Sequence, residues 1–237
     1  APAKRLGELL ALGAEFDAVA RDILLDNPVL RFDKLLLARG GPWFNSKWSG
    51  PNNLGSELVV LSPVRPDGQV TTLYKGNRIS DFDLDFSGER ILFSDGRFLS
   101  EIAVDGTGLR RVSTQADEHV QHFDGCYLPD GRIMFVSTAC EQAVPCTGQW
   151  YVGNLHVMNP DGTGERRLCF DQDHNWNPCV LNTGRVIYTR WEYTDTPHYF
   201  SRLLFQMNPD GTGQMEYYGS NSYWPNAMYW PRPVPGK

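Results

Sequence analysis

The chain has 237 residues and a formal net charge of −6 at pH 7. A net negative surface repels the phosphate backbone, so the composition argues against a nucleic-acid partner. No apolar run approaches the roughly 18 residues that a bilayer-spanning helix needs, so we expect no direct membrane insertion.

The first 30 residues are predicted to form an N-terminal helical segment. Apolar side chains recur on one face of residues 4–24, including Leu10, Phe16 and Ile23. The polar face mixes acidic and basic residues, whereas a helix that lies on a membrane surface needs a basic face. We therefore expect this helix to pack against the rest of the protein or against a neighbouring domain.

A repeated turn organises the remainder of the chain, residues 31–237. Residues 158–164 read Met-Asn-Pro-Asp-Gly-Thr-Gly, and residues 207–213 repeat this sequence without a change; shorter copies lie at 104–108 and 65–68. Proline is preset for the first central position of a type I turn, and the glycine takes the positive φ that closes a bulged hairpin. Strand-like apolar runs on both sides predict a β-hairpin at each copy.

A second kind of hairpin alternates with the first. Residues 86–93, 128–135 and 181–188 each combine a tight polar turn with an apolar strand. Two hairpins make a four-stranded unit of about 40 to 50 residues, which is the length of a β-propeller blade. The longer intervals between copies leave room for insertions, chiefly at 139–152 and 190–200.

These units predict an all-β fold, a β-propeller of about four to five blades that follows a short N-terminal α-helix. Complete units are expected at 82–113, 123–169 and 176–218, and the second half of an earlier unit at 57–74. A further unit opens at 223–226 and stops, so we expect the propeller to be truncated at its C-terminus. The alternative is a complete small propeller with a loose tail.

Two of the five cysteines, Cys126 and Cys179, occupy equivalent positions in successive units, where the preceding unit has Leu84. Buried thiols that do not pair with each other are the simplest interpretation. Cys140 and Cys146 bracket a short insertion and form a candidate disulfide in an oxidising compartment. No Cys-x-x-Cys-His motif occurs, so we expect no cofactor within this chain, and in particular no c-type haem attached through that motif.

Three polar segments resemble cation sites without completing one. The loop at 117–124 contains two histidines and three acidic residues, and the runs at 81–85 and 171–174 are rich in carboxylates. Solvated histidines and turn-capping aspartates are the more frequent use of such patterns, so metal binding is left open. No Gly-x-Ser-x-Gly nucleophile elbow occurs, and we recognise no self-contained catalytic site.

The densest combination of aromatic and polar side chains lies at 174–199. Imidazoles, a carboxylate and aromatic rings at strand ends are suited to a binding rim, because they offer contact area together with a polar tip. Packing between neighbouring blades would use the same side chains equally well. The candidate binding residues are His174, Trp176, Trp191, Tyr193, Asp195, His198 and Tyr199.

Four segments carry a resemblance to a known family. Residues 171–176 (Asp-Gln-Asp-His-Asn-Trp) and 190–200 (Arg-Trp-Glu-Tyr-Thr-Asp-Thr-Pro-His-Tyr-Phe) resemble the middle domain of hydrazine synthase α subunits and their relatives, and residues 27–36 and 61–68 are similar to it as well. The Asp-Gly-Thr-Gly turns alone are shared with TolB-like propellers. The resemblance implies a six-bladed propeller in an exported, periplasmic multidomain protein whose c-type haems lie outside this domain.

Three functions are consistent with these observations. The first is a scaffold and docking surface for a haem-bearing or other downstream domain, in a protein that resembles the hydrazine synthase α subunit. The second is a non-catalytic, TolB-like propeller that binds a partner protein, and the third is the gating propeller of a serine peptidase. Any enzymatic activity would need regions outside this chain, because we recognise no self-contained catalytic site within it. The activity of the family does not transfer with the fold alone.

Overall fold

The computed structural model describes residues 2–42, 51–115, 117–144, 152–191, 201–220 and 224–234. The chain divides into two compact units. One unit combines Ala1–Leu37 with Leu58–Thr72, and the other combines Ala38–Glu57 with Leu73–Lys237. Every candidate site residue that the structure describes belongs to the second unit.

The first unit begins with a long helix, α1 (Pro2–Leu25), which is followed by one 3-10 turn at Pro28–Leu30. The helix predicted for the N-terminal segment is confirmed. Several of its large apolar side chains are exposed, including Phe16 at 73% and Ile23 at 69%. In the described part of the chain, no helix is both long and apolar enough to cross a membrane. The packing partner expected for α1 stays a prediction.

The described residues contain fourteen strands in three antiparallel sheets, and consecutive strands are neighbours in each sheet. The first sheet contains β1 (Leu35–Gly40), β2 (Gly55–Ser62), β3 (Gln69–Leu84), β4 (Arg90–Asp95), β5 (Phe98–Ala103) and β6 (Arg110–Arg111). The second contains β7 (His122–Tyr127), β8 (Ile133–Ser137), β9 (Asn154–Met158) and β10 (Arg166–Arg167). The third contains β11 (Asn175–Val180), β12 (Val186–Trp191), β13 (Arg202–Met207) and β14 (Met215–Tyr218).

The sheets follow the repeat units closely, except at the start of the first sheet. Strand β3 is continuous, so the half-unit predicted at 57–74 is not separated from the unit after it. The Asp95 carboxylate explains the difference, because it accepts hydrogen bonds from the Asn77 backbone N–H (3.1 Å) and the Tyr74 hydroxyl (2.7 Å). A side chain at Gly76 would collide with that carboxylate. These contacts hold the middle of β3 in the sheet, where the repeat pattern predicts a break.

The repeated Asp-Gly-Thr-Gly turn is also a contact between sheets. In the copy at 158–164, the Asp161 carboxylate accepts hydrogen bonds from the Thr163 backbone N–H (3.0 Å) and hydroxyl (2.7 Å), which stabilises the turn. Gly162 has a φ of +86°, and a Cβ there would collide with the carbonyl oxygen of Val112, which follows β6. Glycine is therefore required at position 162 for two reasons: the left-handed backbone conformation and the close approach of the Val112 carbonyl.

Arginine side chains make similar contacts with the repeated turn at both junctions between sheets. Arg110 in β6 donates a hydrogen bond to the Pro160 carbonyl (2.9 Å), and Arg166 in β10 donates one to the Asp210 carbonyl (3.2 Å). Each arginine lies in the last strand of its sheet and reaches the repeated turn of the following sheet. Successive sheets are therefore joined by a repeated set of contacts, which is the arrangement expected of propeller blades.

A second set of contacts joins β3 of the first sheet to β7 in the second sheet, β7 to β11 in the third sheet, and β11 to Trp230. Asp81 accepts a hydrogen bond from the Asp124 backbone N–H (2.7 Å), and Asp124 accepts one from the Asn177 N–H (3.1 Å). Asn177 accepts one in turn from the Trp230 N–H (3.4 Å). Asp124, Asn177 and Trp230 share a φ of +50°, which indicates the same local irregularity in each segment. We call these four residues the inner clamp.

The pairing register confirms that Cys126 and Cys179 are equivalent, since each lies two residues after a clamp residue in the first strand of its sheet. The equivalent residue in the first sheet is Asp83, so the assignment to Leu84 is wrong by one position. The hairpin that follows Asp83 has one extra residue in its turn. Alignment on the arginine after that turn, Arg90, therefore shifts the register by one.

The apolar core fills the spaces between the sheets. One cluster joins the first and second sheets through side chains such as Leu99 and Phe135. A larger cluster joins the second and third sheets and includes Phe123 and Tyr188. Burial of such a side chain stabilises the fold by roughly 1.5–3 kcal/mol. No sheet closes on itself within the described ranges, and the number of blades stays a prediction.

Candidate functional site

Both long insertions leave the sheets at the same end. One connects β8 to β9 and the other connects β12 to β13, and the flanking strand ends are paired in register in both hairpins. The loops at 117–121 and 170–174, which lead into β7 and β11, reach that end too. We call it the insertion end. The opposite end, the turn end, carries the tight turns at 85–89, 128–131 and 181–184.

Three of the seven candidate residues meet at the insertion end. The His174 ring stacks on Trp176 with 4.6 Å between ring centroids, and on Trp191 with 5.9 Å. The structure thus brings these three side chains together, and a binding role for the set stays a prediction. The other four candidates lie outside the described residues: Tyr193, Asp195, His198 and Tyr199.

A buried arginine, which the sequence did not reveal, completes this group. Arg202 is 1% exposed, and its guanidinium carbon lies 4.1 Å from the Trp191 ring centroid and 6.0 Å from that of Trp176. A desolvated cation over an indole face is stabilising by about 2 kcal/mol. Arginine at the start of a strand is ordinarily a surface residue, so only the tertiary structure shows its position. We call His174, Trp176, Trp191 and Arg202 the aromatic cluster.

His174 is a neutral member of the cluster. The Gly153 N–H donates a hydrogen bond to His174 Nδ1 (2.9 Å), so the ring proton is on Nε2. Nε2 is buried and has no hydrogen-bond partner among the described residues. Burial, and next the charge of Arg202, lower the pKa of His174 to about 3. His174 is therefore not suited to proton transfer near neutral pH.

A small cleft lies beside the second sheet at the insertion end. Its volume is about 150 Å³, and it is lined by Asp117, His119, Val120, Thr138 and Glu141. Small-molecule sites usually begin at roughly 300 Å³, so the cleft is sized for one side chain of a partner. Its two carboxylates give it an anionic character, which favours a cationic group.

The segments that resemble cation sites have other roles where the structure describes them. Across the described ranges, no three His, Cys, Asp or Glu side chains are placed to hold a metal ion. His119 lines the cleft, whereas His122 is 1% exposed and lies in the interior. The Asp85 carboxylate accepts hydrogen bonds from the Glu89 and Arg90 N–H groups (2.8 and 2.9 Å), so it caps a turn.

Four polar residues lie at equivalent positions two residues after each member of the inner clamp: Asp83, Cys126, Cys179 and Arg232. Burial raises the pKa of Asp83 and of both thiols, and the positive charge of Arg232 opposes that rise in all three. Both thiols are free. The sequence predicts the two cysteines at matching positions, but not the acid and the cation that act on them.

The structure describes only one of the two cysteines of the candidate disulfide. The Cys140 thiol donates a hydrogen bond to the Val152 carbonyl (3.0 Å), at the base of the insertion between β8 and β9. Cys146 lies outside the described residues. The pairing of Cys140 with Cys146 therefore stays a prediction.

The inner clamp predicts an unusual pH dependence of stability. Burial, and next the charge of Asp81, raise the pKa of the Asp124 carboxyl above its ordinary value of 3.8. A carboxyl whose pKa is raised by folding stabilises the folded state fully below about pH 4, and this stabilisation is lost as the pH rises through the raised pKa. We expect Asp124→Asn to remove that loss, because the amide oxygen can still accept the hydrogen bond from Asn177.

Urea unfolding at a series of pH values from acid to alkaline tests this expectation. The free energy of unfolding of the wild type should fall with rising pH more steeply than that of Asp124→Asn. Equal slopes would show that the carboxyl titrates normally in the folded protein.

Comparisons with known proteins identify the fold but not the family. No family model and no curated protein matches this sequence. Among solved structures, hydrazine synthase from Kuenenia stuttgartiensis matches with a TM-score of 0.63 and 13% identity, over 78% of this chain and 32% of that one. A TolB protein from Agrobacterium tumefaciens matches with a TM-score of 0.50 and 14% identity, over 68% and 61%.

An oligogalacturonate lyase from Vibrio parahaemolyticus also matches, with a TM-score of 0.53 and 12% identity, over 79% of this chain and 49% of that one. The chain thus spans less than two thirds of the length of each of these structures. They are propeller proteins with unrelated activities, so the similarity supports a propeller-like fold and carries no activity with it.

Proposed function

We propose that this chain is the propeller module of an exported multidomain protein resembling the hydrazine synthase α subunit. The module serves as a scaffold, and its insertion end is the docking surface for a haem-bearing or other downstream domain. The observation that carries the proposal is the shared origin of both long insertions at one end of the sheets. Loops positioned by a rigid scaffold are where propellers and other β folds place their binding residues.

The chemistry of the insertion end supports docking in preference to catalysis. His174 is held neutral and fully buried, so it contributes to packing beneath the surface. The anionic cleft with Asp117 and Glu141 lies at the same end of the sheets and fits one cationic side chain of a partner. Protein interfaces usually combine aromatic side chains at the centre with polar groups around them.

Two alternatives place a different partner on the same surface. A TolB-like module would bind a separate protein, and a peptidase gate would face a hydrolase domain. The structural similarity to TolB, with a TM-score of 0.50, supports the fold that the first alternative requires. The higher TM-score of 0.63 with hydrazine synthase is the reason for our preference. Export of the protein and a c-type haem in another region belong to this proposal.

Site-specific photo-crosslinking of the intact protein tests the docking surface. A p-benzoylphenylalanine residue replaces Glu141 at the insertion end in one variant and Glu89 at the turn end in the other, since both positions are exposed. We expect the probe at position 141 to crosslink to a segment of the same protein outside these 237 residues, and the probe at position 89 to give no such product.

The crosslinked peptide also separates the three candidate functions. A product within a segment bearing Cys-x-x-Cys-His supports the haem-linked proposal, one within a segment bearing Gly-x-Ser-x-Gly supports the peptidase, and one to a separate chain supports the TolB-like module. Crosslinks from position 89 alone would contradict docking at the insertion end.

A further inference from the structure

Four oxidisable rings form a continuous series from the aromatic cluster to the surface. The ring centroids of Trp191 and Trp176 are 6.3 Å apart, those of Trp176 and Tyr229 are 6.0 Å apart, and those of Tyr229 and Trp230 are 5.9 Å apart. All three separations lie within the range of interacting aromatic pairs. The π systems are therefore close enough at every step for electronic contact.

The series runs from a dry interior to water. Trp191 and Trp176 are 7% and 4% exposed, Tyr229 is half-buried, and Trp230 is 49% exposed. Tryptophan and tyrosine are the side chains most easily oxidised by one electron, apart from those with sulfur. The partly exposed Tyr229 and the more exposed Trp230 can release a proton to solvent, whereas Trp176 and Trp191 are buried.

Arg202 gives the series a direction. Its guanidinium lies 4.1 Å from the Trp191 ring centroid and 6.0 Å from that of Trp176, and it hydrogen-bonds the Tyr229 side chain. A cation stabilises a neutral indole but destabilises an indole radical cation, and the effect is strong where water is excluded. An electron vacancy is thus least stable at the buried end, beside Arg202, and most stable at the solvated ring of Trp230.

We infer that Trp191, Trp176, Tyr229 and Trp230 form a route that moves an electron vacancy from the buried aromatic cluster to the surface at Trp230. A one-electron oxidant takes an electron from Trp191 or Trp176 and leaves an indole radical cation. Tyr229 then refills the vacancy with one electron and releases its phenol proton to water. Trp230 next supplies an electron to Tyr229, which regains a proton from water, and the Trp230 indole loses its N–H proton to water. In sum, the oxidant gains one electron, and Trp230 loses one electron and one proton.

The outer half of the route is held in place by backbone contacts. The Trp230 backbone N–H donates a hydrogen bond to the Asn177 side-chain oxygen in the inner clamp (3.4 Å). The Met228 backbone N–H donates one to the Arg202 carbonyl (3.0 Å). The segment that carries Tyr229 and Trp230 is thereby fastened to the third sheet on both sides. The route depends on this packing and not on the docking role proposed above.

Photo-oxidation of the protein tests the route. Ultraviolet light absorbed by indole ejects an electron, which dissolved oxygen captures as superoxide, and the vacancy remains on the protein. Mass spectrometry of peptides then gives the oxidised fraction of each tryptophan. In the wild type, we expect the oxidation products of the series to accumulate at Trp230. In Tyr229→Phe, which keeps the ring but not its ease of oxidation, the products at Trp176 and Trp191 should increase severalfold.

Two further variants separate transfer along the series from a general change in tryptophan oxidation. Trp230→Phe removes the outer end and should raise oxidation of the buried tryptophans in the same way, whereas Trp224→Phe removes a 79% exposed indole outside the series and should not. Excitation energy does not pass from indole to tyrosine, so an effect of Tyr229→Phe distinguishes electron transfer from energy transfer. Excitation energy is thus ruled out as the cause by the Tyr229→Phe variant.

If near-ultraviolet circular dichroism shows that Tyr229→Phe disturbs the packing, Trp230→Phe decides the test. The same product distribution in the wild type and in Trp230→Phe would overturn the inference.

Discussion

Gly162→Ala should lower the free energy of unfolding by roughly 3 to 5 kcal/mol, whereas Gly131→Ala should lower it by about 1 to 2 kcal/mol. Both glycines have a φ of +86°, so a side chain introduces the same backbone strain at both positions. They differ in their surroundings. A Cβ at position 131 meets nothing within 4 Å, whereas a Cβ at position 162 collides with the Val112 carbonyl oxygen at the junction of two sheets.

The difference between the two variants isolates the contact between sheets from the turn itself. Urea unfolding of both variants gives the two free energies of unfolding. They can be compared directly if the free energy falls with urea concentration at the same slope in both variants. Gly211→Ala should fall between them, because its Cβ would meet the Leu168 side chain at 3.0 Å, and a side chain can move. Equal losses for Gly162→Ala and Gly131→Ala would mean that the repeated turn does not join the sheets.

The second large effect is expected in the aromatic cluster. Trp176→Ala should lower the free energy of unfolding by about 3 to 5 kcal/mol, which is typical for removal of a buried aromatic side chain. Trp176 is 4% exposed and contacts the rings of His174, Trp191 and Tyr229. Its removal leaves a cavity among the His174, Trp191 and Tyr229 rings.

Trp224→Ala is the matched control, because it removes the same side chain from a position that is 79% exposed. Surface substitutions usually change stability by less than about 0.5 kcal/mol. Thermal unfolding followed by circular dichroism measures both variants. A loss in Trp176→Ala as small as that in Trp224→Ala would contradict the buried position of the cluster.

The strand pattern was predictable because its signals are local. A turn with Pro, Asp and Gly in sequence specifies its own geometry within a few residues, and its two copies predicted the hairpins of the second and third sheets. The polar turns before Arg132 and Arg185 did the same for the first hairpin of each sheet. The equivalence of Cys126 and Cys179 followed directly, since position along a hairpin is counted from its turn.

The errors arose where tertiary contacts override local patterns. The continuity of β3 depends on the Asp95 carboxylate, which binds backbone groups 17 and 18 residues earlier in the chain. The assignment to Leu84 is wrong because the units were aligned only on the arginine after the turn, and the turn before Arg90 has one extra residue. Arg202 reads as a surface residue, and its burial depends on the rings of Trp191 and Trp176, to which no sequence pattern links it.

The candidate site was predicted in part for the same reason. The aromatic density at 174–199 is visible in the sequence, and His174, Trp176 and Trp191 do stack together. Their deep burial could not be inferred, because a rim and a junction between sheets use the same residue types. Tyr229 belongs to a segment about 50 residues further along the chain, and only the tertiary structure brings it close to Trp176.

Hydrogen exchange on the intact protein tests most directly whether the insertion end is the docking surface. The loop residues 117–119 and 139–143 are exposed or partly exposed in this chain, as are the turn residues 129–131 and 181–184. If another domain covers the insertion end, backbone amides in the two loops should exchange slowly in the intact protein while those in the two turns exchange rapidly. Rapid exchange in the loops together with protection of the turns would contradict the proposed function.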